Sequence, residues 1–481
     1  MDRLVIDEPV EAVNSREQRS FYKKRVAIHP KLVFGRYRQI KWVALVVLLA
    51  IYYLVPWLRY DRGPNAPDQA VLVDIPGRRF YFFFIEIWPQ EVYYWTGLLI
   101  VAAVGLFFVS SLFGRVWCGY ACPQTVWTDL FIYVERVFEG DRNARIRLAA
   151  APWGFGKLAR KSAKHAVWLA IGLVTGGAWV FYFADAPSLF GDLIAGQASL
   201  GAYLTIAILT GTTYVFAGFA REQICTYVCP YARFQAAMFD EDTMLVSYQA
   251  ARGEPRAKHK KGEPWEGRGH CIDCGQCVAV CPTGIDIRHG QQMECITCAL
   301  CIDACNGVMD KVGLPRGLIR YDTLRNMQVR AAGQRPHIKL FRRRTLVYAA
   351  ILFAVLAAIL TGLFSRADLE VTVQRDRNPA FVTLSNGDIR NGYTLKVLNK
   401  SHESRVLSLS VSNLPDARLE VLGQKGLELE ARPAQIESFR VFVQAPRQAL
   451  EKNSTAFAFV LRDPVSATEA EHDAVFMAPR R

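Results

Sequence analysis

Five stretches of this chain are apolar over the length a bilayer demands, and charged residues return at their ends. They run Trp42–Leu58, Tyr93–Gly114, Ala166–Ala184, Leu200–Ala220 and Thr345–Phe364, and none carries an ionised side chain in its interior. A hydrocarbon layer about 30 Å thick takes roughly 20 residues at 1.5 Å rise each, so all five are predicted to be membrane-spanning helices. The third and fourth are rich in glycine and small residues, which suits close helix packing. Beyond residue 368 the pattern shortens to a period of two. LEVTVQR, YTLKVLN, VLSLSVS, RLEVLG, SFRVFVQ, TAFAFVLR and DAVFMA read as strands, with turn signals at Asn386-Gly387 and Asn391-Gly392. Seven strands in this length predict an all-β immunoglobulin-like sandwich.

Charge orients the helices. The tail to Lys41 carries ten basic residues, loop 59–91 four, loop 115–165 nine and loop 185–199 none. The rule that basic loops stay inside places the N-terminus, loop 115–165 and segment 221–344 in the cytoplasm. Arg342, Arg343 and Arg344 fix the start of the last span on that side, which leaves 365–481 outside. Trp42–Leu58 reads as a retained anchor. The net charge of +14 then points to anionic lipid, and with 51% hydrophobic and 21% charged residues the chain is not disordered.

Cysteine placement tests this topology with other residues. All 12 cysteines fall between 118 and 305, on the expected inner side or at its boundary. A reducing compartment keeps thiols free for metals. Residues 271–282, CIDCGQCVAVCP, and 295–306, CITCALCIDACN, both read C-x2-C-x2-C-x3-C. In this bacterial ferredoxin spacing, three cysteines wrap one cube and the fourth reaches the other. One 4Fe-4S cluster is therefore expected on Cys271, Cys274, Cys277 and Cys305, the second on Cys295, Cys298, Cys301 and Cys281. Zinc, the competing soft metal, does not need the third and fourth cysteines at these intervals. The second run ends in Asn306 where the first has Pro282. Residues 249–269 are basic with Gly and Pro, and read as a linker without a fold of its own.

Four cysteines lie outside these runs. Residues 118–123, CGYACP, and 225–230, CTYVCP, share C-x-Y-x-C-P, each after a span running outside to inside. Spans one and two thus read as a repeat of spans three and four about an axis along the membrane normal, which brings Cys118, Cys122, Cys225 and Cys229 together at the inner boundary. If helix continues through each motif, its two thiols share one face. Such thiolates suit copper, an additional redox centre or a dithiol/disulfide pair, and the spacing does not choose among them. Apolar packing of small cysteines is the bland alternative. His165 lies at a similar depth and is a candidate fifth ligand. Trp117, Tyr120, Trp127 and Tyr227 read as interfacial aromatics, and His270 and His289 as residues around or outside the clusters.

The expected fold is a multi-domain membrane protein. It has a cytoplasmic tail (1–41), a four-helix region with both C-x3-C-P motifs (42–248), a linker (249–270) and an inserted bacterial 2x(4Fe-4S) ferredoxin domain (271–306). A connector (307–344), a fifth transmembrane helix (345–364) completing a five-helix α bundle, and the sandwich domain (365–481) follow. This order resembles the FixG/CcoG/RdxA family of cytochrome c oxidase accessory proteins. The likeness rests on WCGYACPQTVW at 117–127, CTYVCP at 225–230, both ferredoxin runs and GVMDKVGLPRGLIRYDT at 307–323. It implies a bacterial inner-membrane oxidoreductase that serves assembly of cbb3-type oxidase by reducing Cu(II) to Cu(I), with Cys118, Cys122, Cys225 and Cys229 handling copper. The expected partners are the bilayer, copper, a cytoplasmic electron donor, oxidase subunits or copper chaperones, and a second copy of the chain, but no nucleic acid. A quinol-oxidising electron conduit and a non-enzymatic assembly scaffold stay open as alternatives.

Overall fold

The computed structural model of the protein describes residues 27–63, 65–259, 264–424, 426–450 and 453–479. Most of the basic tail and residues 260–263 of the expected linker lie outside them. The chain forms two compact units, Met1–Leu58 with Gln69–Ile359, and Arg59–Asp68 with Leu360–Arg481.

In the first unit, helix α1 (Arg36–Leu54) leads to a small antiparallel sheet of β1 (Val71–Asp74), β2 (Arg79–Phe82) and β3 (Ile85–Ile87), then to α2 (Tyr93–Phe113). Three shorter helices follow, α3 (Val116–Tyr120), α4 (Pro123–Glu139) and α5 (Arg142–Ala150), and after them α6 (Phe155–Val180), α7 (Ala186–Ala195) and α8 (Leu200–Val215). Among the described residues four helices are long and apolar enough to cross a membrane: Arg36–Trp57, Pro89–Phe113, Leu200–Ala220 and Arg343–Phe364. The expected third span, Ala166–Ala184, lies on α6, which is not among them. That helix starts eleven residues earlier, through Lys157, Arg160, Lys161 and Lys164, and ends at Val180. It packs closely on α8 all the same. A Cβ at Gly172 or Gly176 would sit 3.1 Å from the Thr210 carbonyl oxygen or 2.8 Å from that of Ile206, the small-residue contact expected for this pair.

The cysteine runs sit in a packed body wider than 271–306. After α9 (Tyr231–Met238), strand β4 (Leu245–Tyr248) pairs antiparallel with β5 (Ile319–Asp322), Leu245 opposite Asp322. Between them lie α10 (Ala250–Gly253), α11 (Gln276–Ala279) and α12 (Leu300–Val312). Asn306 explains the length of α12. Proline at this position would remove a helical N–H and clash with the preceding turn, whereas asparagine lets the helix run on to Val312 and accepts the Gly317 N–H at 3.0 Å. The described part of the expected linker is also folded, since the N–H groups of His270 and Cys271 bond the carbonyls of Arg252 and Gly253. After β5 come α13 (Leu324–Ala331) and α14 (Arg343–Phe364).

In the second unit all seven expected strands are present: β6 (Leu369–Arg375), then past β7 (Val382–Thr383), β8 (Ile389–Asn399), β9 (Arg405–Ser412), β10 (Arg418–Val421) and, past β11 (Glu428–Ala431), β12 (Gln435–Ala445), β13 (Ser454–Arg462) and β14 (Glu469–Met477). One sheet runs β10-β12-β8-β6 with β7 on β8, the other β11-β9-β13-β14, all antiparallel. Alternate residues such as Tyr393, Leu395, Val397, Leu407, Val441, Val443 and Phe459 fill the space between the sheets. The strand β11, ELEA, is not expected from the sequence: Leu429 and Ala431 face inward in regular alternation, but over only four residues.

Candidate functional site

The two ferredoxin runs fold alike. Asp273 and Thr297, one residue before the second cysteine of each run, have φ of 53° and 56°, and Gly275 and Ala299, one residue after it, 65° and 61°. These left-handed turns coil each C-x2-C-x2-C loop and aim backbone N–H groups at sulfur, as Gln276 does toward Cys274 and Thr297 toward Cys295. Cys271, Cys274, Cys277 and Cys305 line one cavity. Cys281 lies within electrostatic reach of Cys295, Cys298 and Cys301. The fold thus brings Cys305 to the first run and Cys281 to the second.

Burial raises the thiol of Cys277, and it pushes Cys295 and Cys305 up to about 12. Such groups are poor thiolates on their own. They fit a centre whose iron supplies the positive charge that holds sulfur deprotonated. Among the described residues no three His, Cys, Asp or Glu converge to hold a single ion.

The C-x-Y-x-C-P motifs are structural repeats down to their backbone. Four residues before the first cysteine, Gly114 (φ 60°, ψ −130°) and Arg221 (φ 39°, ψ −113°) make the same sharp turn off a long helix. A five-residue helical segment then carries Cys118 (α3) or Cys225 (the π-helix Ile224–Val228). The helix does not continue through the motif. Cys122 and Cys229 are extended, with ψ of 128° and 112°, and a new helix begins beyond each. The cause is the following proline, whose ring disfavours helical backbone at the preceding residue. The thiols of a pair therefore do not share one helix face. All four are nevertheless gathered, each within electrostatic reach of the others. Burial pushes Cys118 up to about 11 and Cys225 to about 12, and raises Cys122 against the N–H groups of Thr125 and Gln124 at the start of α4.

Residues without an obvious sequence signal position this site. The Gln235 amide oxygen accepts from Cys118 Sγ at 3.3 Å and from Arg115 Nε at 3.0 Å, and its nitrogen donates to Ser110 Oγ at 3.1 Å. Asp303, inside the second ferredoxin run, accepts the Tyr37 and Arg38 N–H groups at 3.3 and 2.8 Å. It caps the membrane helix α1 from the cluster domain, a contact of about 1 kcal/mol by analogy with other caps. Tyr120 is half-buried, and its hydroxyl donates to the Cys298 carbonyl at 3.1 Å. Trp127 is likewise half-buried, bonded to Thr175 and packed on Tyr52. His165 does not join the thiols. Its Nδ1 pairs with the Tyr214 hydroxyl at 3.0 Å, and its ring stacks on Phe219 and meets Trp168 edge-on.

Behind the thiols, α4 presents three buried acids to basic residues of other elements. Asp129 meets Arg38 at 2.9 Å and Lys41 at 3.7 Å, Glu139 meets Lys161 and Lys164 at 3.1 and 2.9 Å, and Glu135 meets Arg145 at 2.5 Å and Arg221 at 2.7 Å. Against this network lies His29, whose pKa burial, with Arg145 next in effect, lowers from 6.5 to about 4. Its folded value is below the unfolded one, so in acid the unfolded chain takes up a proton the folded chain refuses. The contribution is complete above pH 6.5 and is lost as pH falls toward 4. A His29→Gln protein is expected to lose less thermal stability than the wild type over that interval. Parallel melting curves in detergent at stepped pH check it, and identical slopes refute it.

Residues 220–324 match a 4Fe-4S dicluster domain, 95–139 a 4Fe-4S binding domain, and 359–479 the IG-like fold at the C-terminus of FixG. The chain is 50% identical to nitrogen fixation protein FixG of Rhizobium meliloti (strain 1021), over 98% of this chain and 96% of that one. It is 51% identical to protein RdxB of Cereibacter sphaeroides (95% and 97%) and 52% identical to protein RdxA of the same species (89% and 91%). With two cube-binding cysteine sets in place and relatives of this closeness along nearly its whole length, the chain belongs to the FixG family and is an iron–sulfur redox protein.

Proposed function

We propose that the protein reduces Cu(II) to Cu(I) at the four boundary cysteines and so prepares copper for the maturation of a cbb3-type oxidase. The observation that carries this reading is the gathering of Cys118, Cys122, Cys225 and Cys229 beside the ferredoxin loops. The 4Fe-4S clusters, when bound by their eight cysteines, supply one electron at a time. Soft sulfur favours Cu(I) over Cu(II), so the boundary thiols both draw the reaction forward and retain its product. The stoichiometry is one electron for each Cu(II) converted, with no proton consumed by the metal. In the proposed topology the tail, both thiol pairs and the ferredoxin body face the cytoplasm, and the sandwich faces outward to dock a partner. Support comes from the basic residues flanking the spans and from the absence of cysteine beyond Cys305.

The test is direct. Full-length protein, purified without oxygen and reduced, is mixed with Cu(II) and a Cu(I)-specific chelator. One Cu(I) is expected per electron lost from the cluster absorbance, and clusters that stay reduced overturn the proposal. A second reading is favoured by the match of residues 95–139 to a 4Fe-4S binding domain: the four boundary thiols carry a further cluster. Iron and acid-labile sulfide per chain decide it, through the amounts of two cubes or of three.

A further inference from the structure

We propose that the boundary thiols are coupled to one cysteine set only, Cys281, Cys295, Cys298 and Cys301, and that Gly119 and Tyr120 are the positioning residues that make the contact. This rests on the reading of those thiols as a soft-metal site and adds to it an order for the two clusters.

Gly119 follows Cys118 directly and lies flat on the second ferredoxin loop. A Cβ there would meet the Ile296 carbonyl oxygen at 2.7 Å and the Cys298 nitrogen and Cα at 3.1 Å. Those neighbours are backbone and have no flexible end to swing aside, so no other residue admits the same approach. Tyr120 locks it through the bond from its hydroxyl to the Cys298 carbonyl. Cys118 shares one apolar cluster with Ile296, Cys298 and Leu300, and Cys301 packs against it. Arg115 adds a bond to the Cys295 carbonyl at 3.5 Å.

The second thiol pair faces the same set by a different route. Cys225, Ile296, Pro282 and Thr283 line a cavity of about 30 Å³ together with Lys41 and Asp129. Thr283 Oγ1 lies 3.3 Å from Cys281 Sγ.

The other set stands apart. Cys271, Cys277 and Cys305 pack in a separate cluster with Val246, Tyr248, Val278 and Ile319, and no boundary cysteine is part of it. Of the twelve cysteines only Cys274 is exposed. An external donor thus meets the Cys274 set first. A cluster held by the Cys298 set would supply its electron next to the boundary thiols, where each Cu(II) would take one and become Cu(I).

The experiment uses full-length protein in detergent, reduced with dithionite, and Cd(II), a thiophilic ion that dithionite leaves unreduced. One equivalent of Cd(II) is expected to shift the paramagnetic resonance signal of one cluster. The shift should persist in Cys274→Ser and vanish in Cys298→Ser. It should also vanish when the four boundary cysteines are alanine. A shift in Cys298→Ser but not in Cys274→Ser, or none in the wild type, overturns the assignment. Should either serine variant lose both clusters, Gly119→Ala and Tyr120→Phe keep every cysteine. With iron content unchanged, both are expected to weaken the Cd(II) shift and to slow Cu(II)-driven reoxidation, Gly119→Ala by about tenfold. Wild-type values in both variants refute the positioning role. If wild-type protein does not reduce Cu(II) at all, the functional reading falls, while the Cd(II) result still decides which set lies next to the thiols.

Discussion

Alanine at Cys118, Cys122, Cys225 and Cys229 together is expected to slow Cu(II)-dependent reoxidation of the reduced protein by roughly 100-fold or more, with iron and sulfide per chain unchanged. Loss of residues that merely orient metal ligands costs about 10–100-fold, and loss of the ligands themselves should reach at least the top of that range. Cluster content should survive because none of the four substituted thiols is among the eight ferredoxin cysteines, of which Cys271, Cys274, Cys277 and Cys305 line one cavity and Cys281 lies beside Cys295, Cys298 and Cys301. Each double variant, Cys118→Ala with Cys122→Ala or Cys225→Ala with Cys229→Ala, should fall nearly as far as the quadruple one. The four thiols lie within reach of one another, and groups that act as a unit are not additive. Stopped-flow absorbance of the clusters measures the rate. If either pair can be removed without effect, the two motifs do not form one site.

Much of this architecture is readable from residue order because its signals are local. The spacing in CIDCGQCVAVCP and CITCALCIDACN determines which cysteines share a cube, since three neighbours in a tight loop leave the fourth to reach across. Alternation marks the seven main strands of the sandwich; β11 alternates as well, but its four residues are too few to stand out in the sequence. What escapes the sequence is long-range pairing. Lys164 and Arg145 read as loop charges that orient a membrane protein, yet both are buried against acids of α4. Helix α6 accordingly reads as a span preceded by a basic loop, when it is one helix whose charged start is neutralised from a neighbouring element. Tyr120 and Gly119 carry no sign of their role, because their partners lie about 180 residues further along the chain. Proline after each second cysteine was the decisive local feature of the boundary motifs. It breaks the helix, so the two thiols of a pair meet those of the other pair across a junction and not along one face.

Glu135→Ala is expected to destabilise the protein by about 3–5 kcal/mol, the cost of removing one member of a buried charge cluster and leaving its partners unpaired. Burial pushes the Glu135 carboxyl toward its neutral form, and Arg221, with Arg145 and Lys164 behind it, outweighs that and holds it ionised. Without the carboxylate, Arg145 and Arg221 face each other as like charges with both side chains over nine-tenths buried. Glu135→Gln keeps the shape and one acceptor oxygen and should lie between the two. The consequence reaches the thiols through Arg221. Its positive φ costs an L-residue about 1–3 kcal/mol and persists only while its surroundings enforce it. The enforcing contacts are the Glu135 carboxylate, the Gly218 carbonyl at 2.8 Å from Nε and the face of Trp168. Loss of Glu135 therefore relaxes the turn that sets Cys225, and maleimide labelling of Cys225 should accelerate in Glu135→Ala at temperatures well below its unfolding. Arg221→Gly removes the strain and the charge together, as the matching Gly114 does in the first repeat, and should cost less than Glu135→Ala while labelling Cys225 at close to the wild-type rate. Thermal unfolding in detergent paired with labelling kinetics separates these outcomes. If Glu135→Ala melts within about 1 kcal/mol of the wild type, the acids of α4 do not hold the second thiol pair in place.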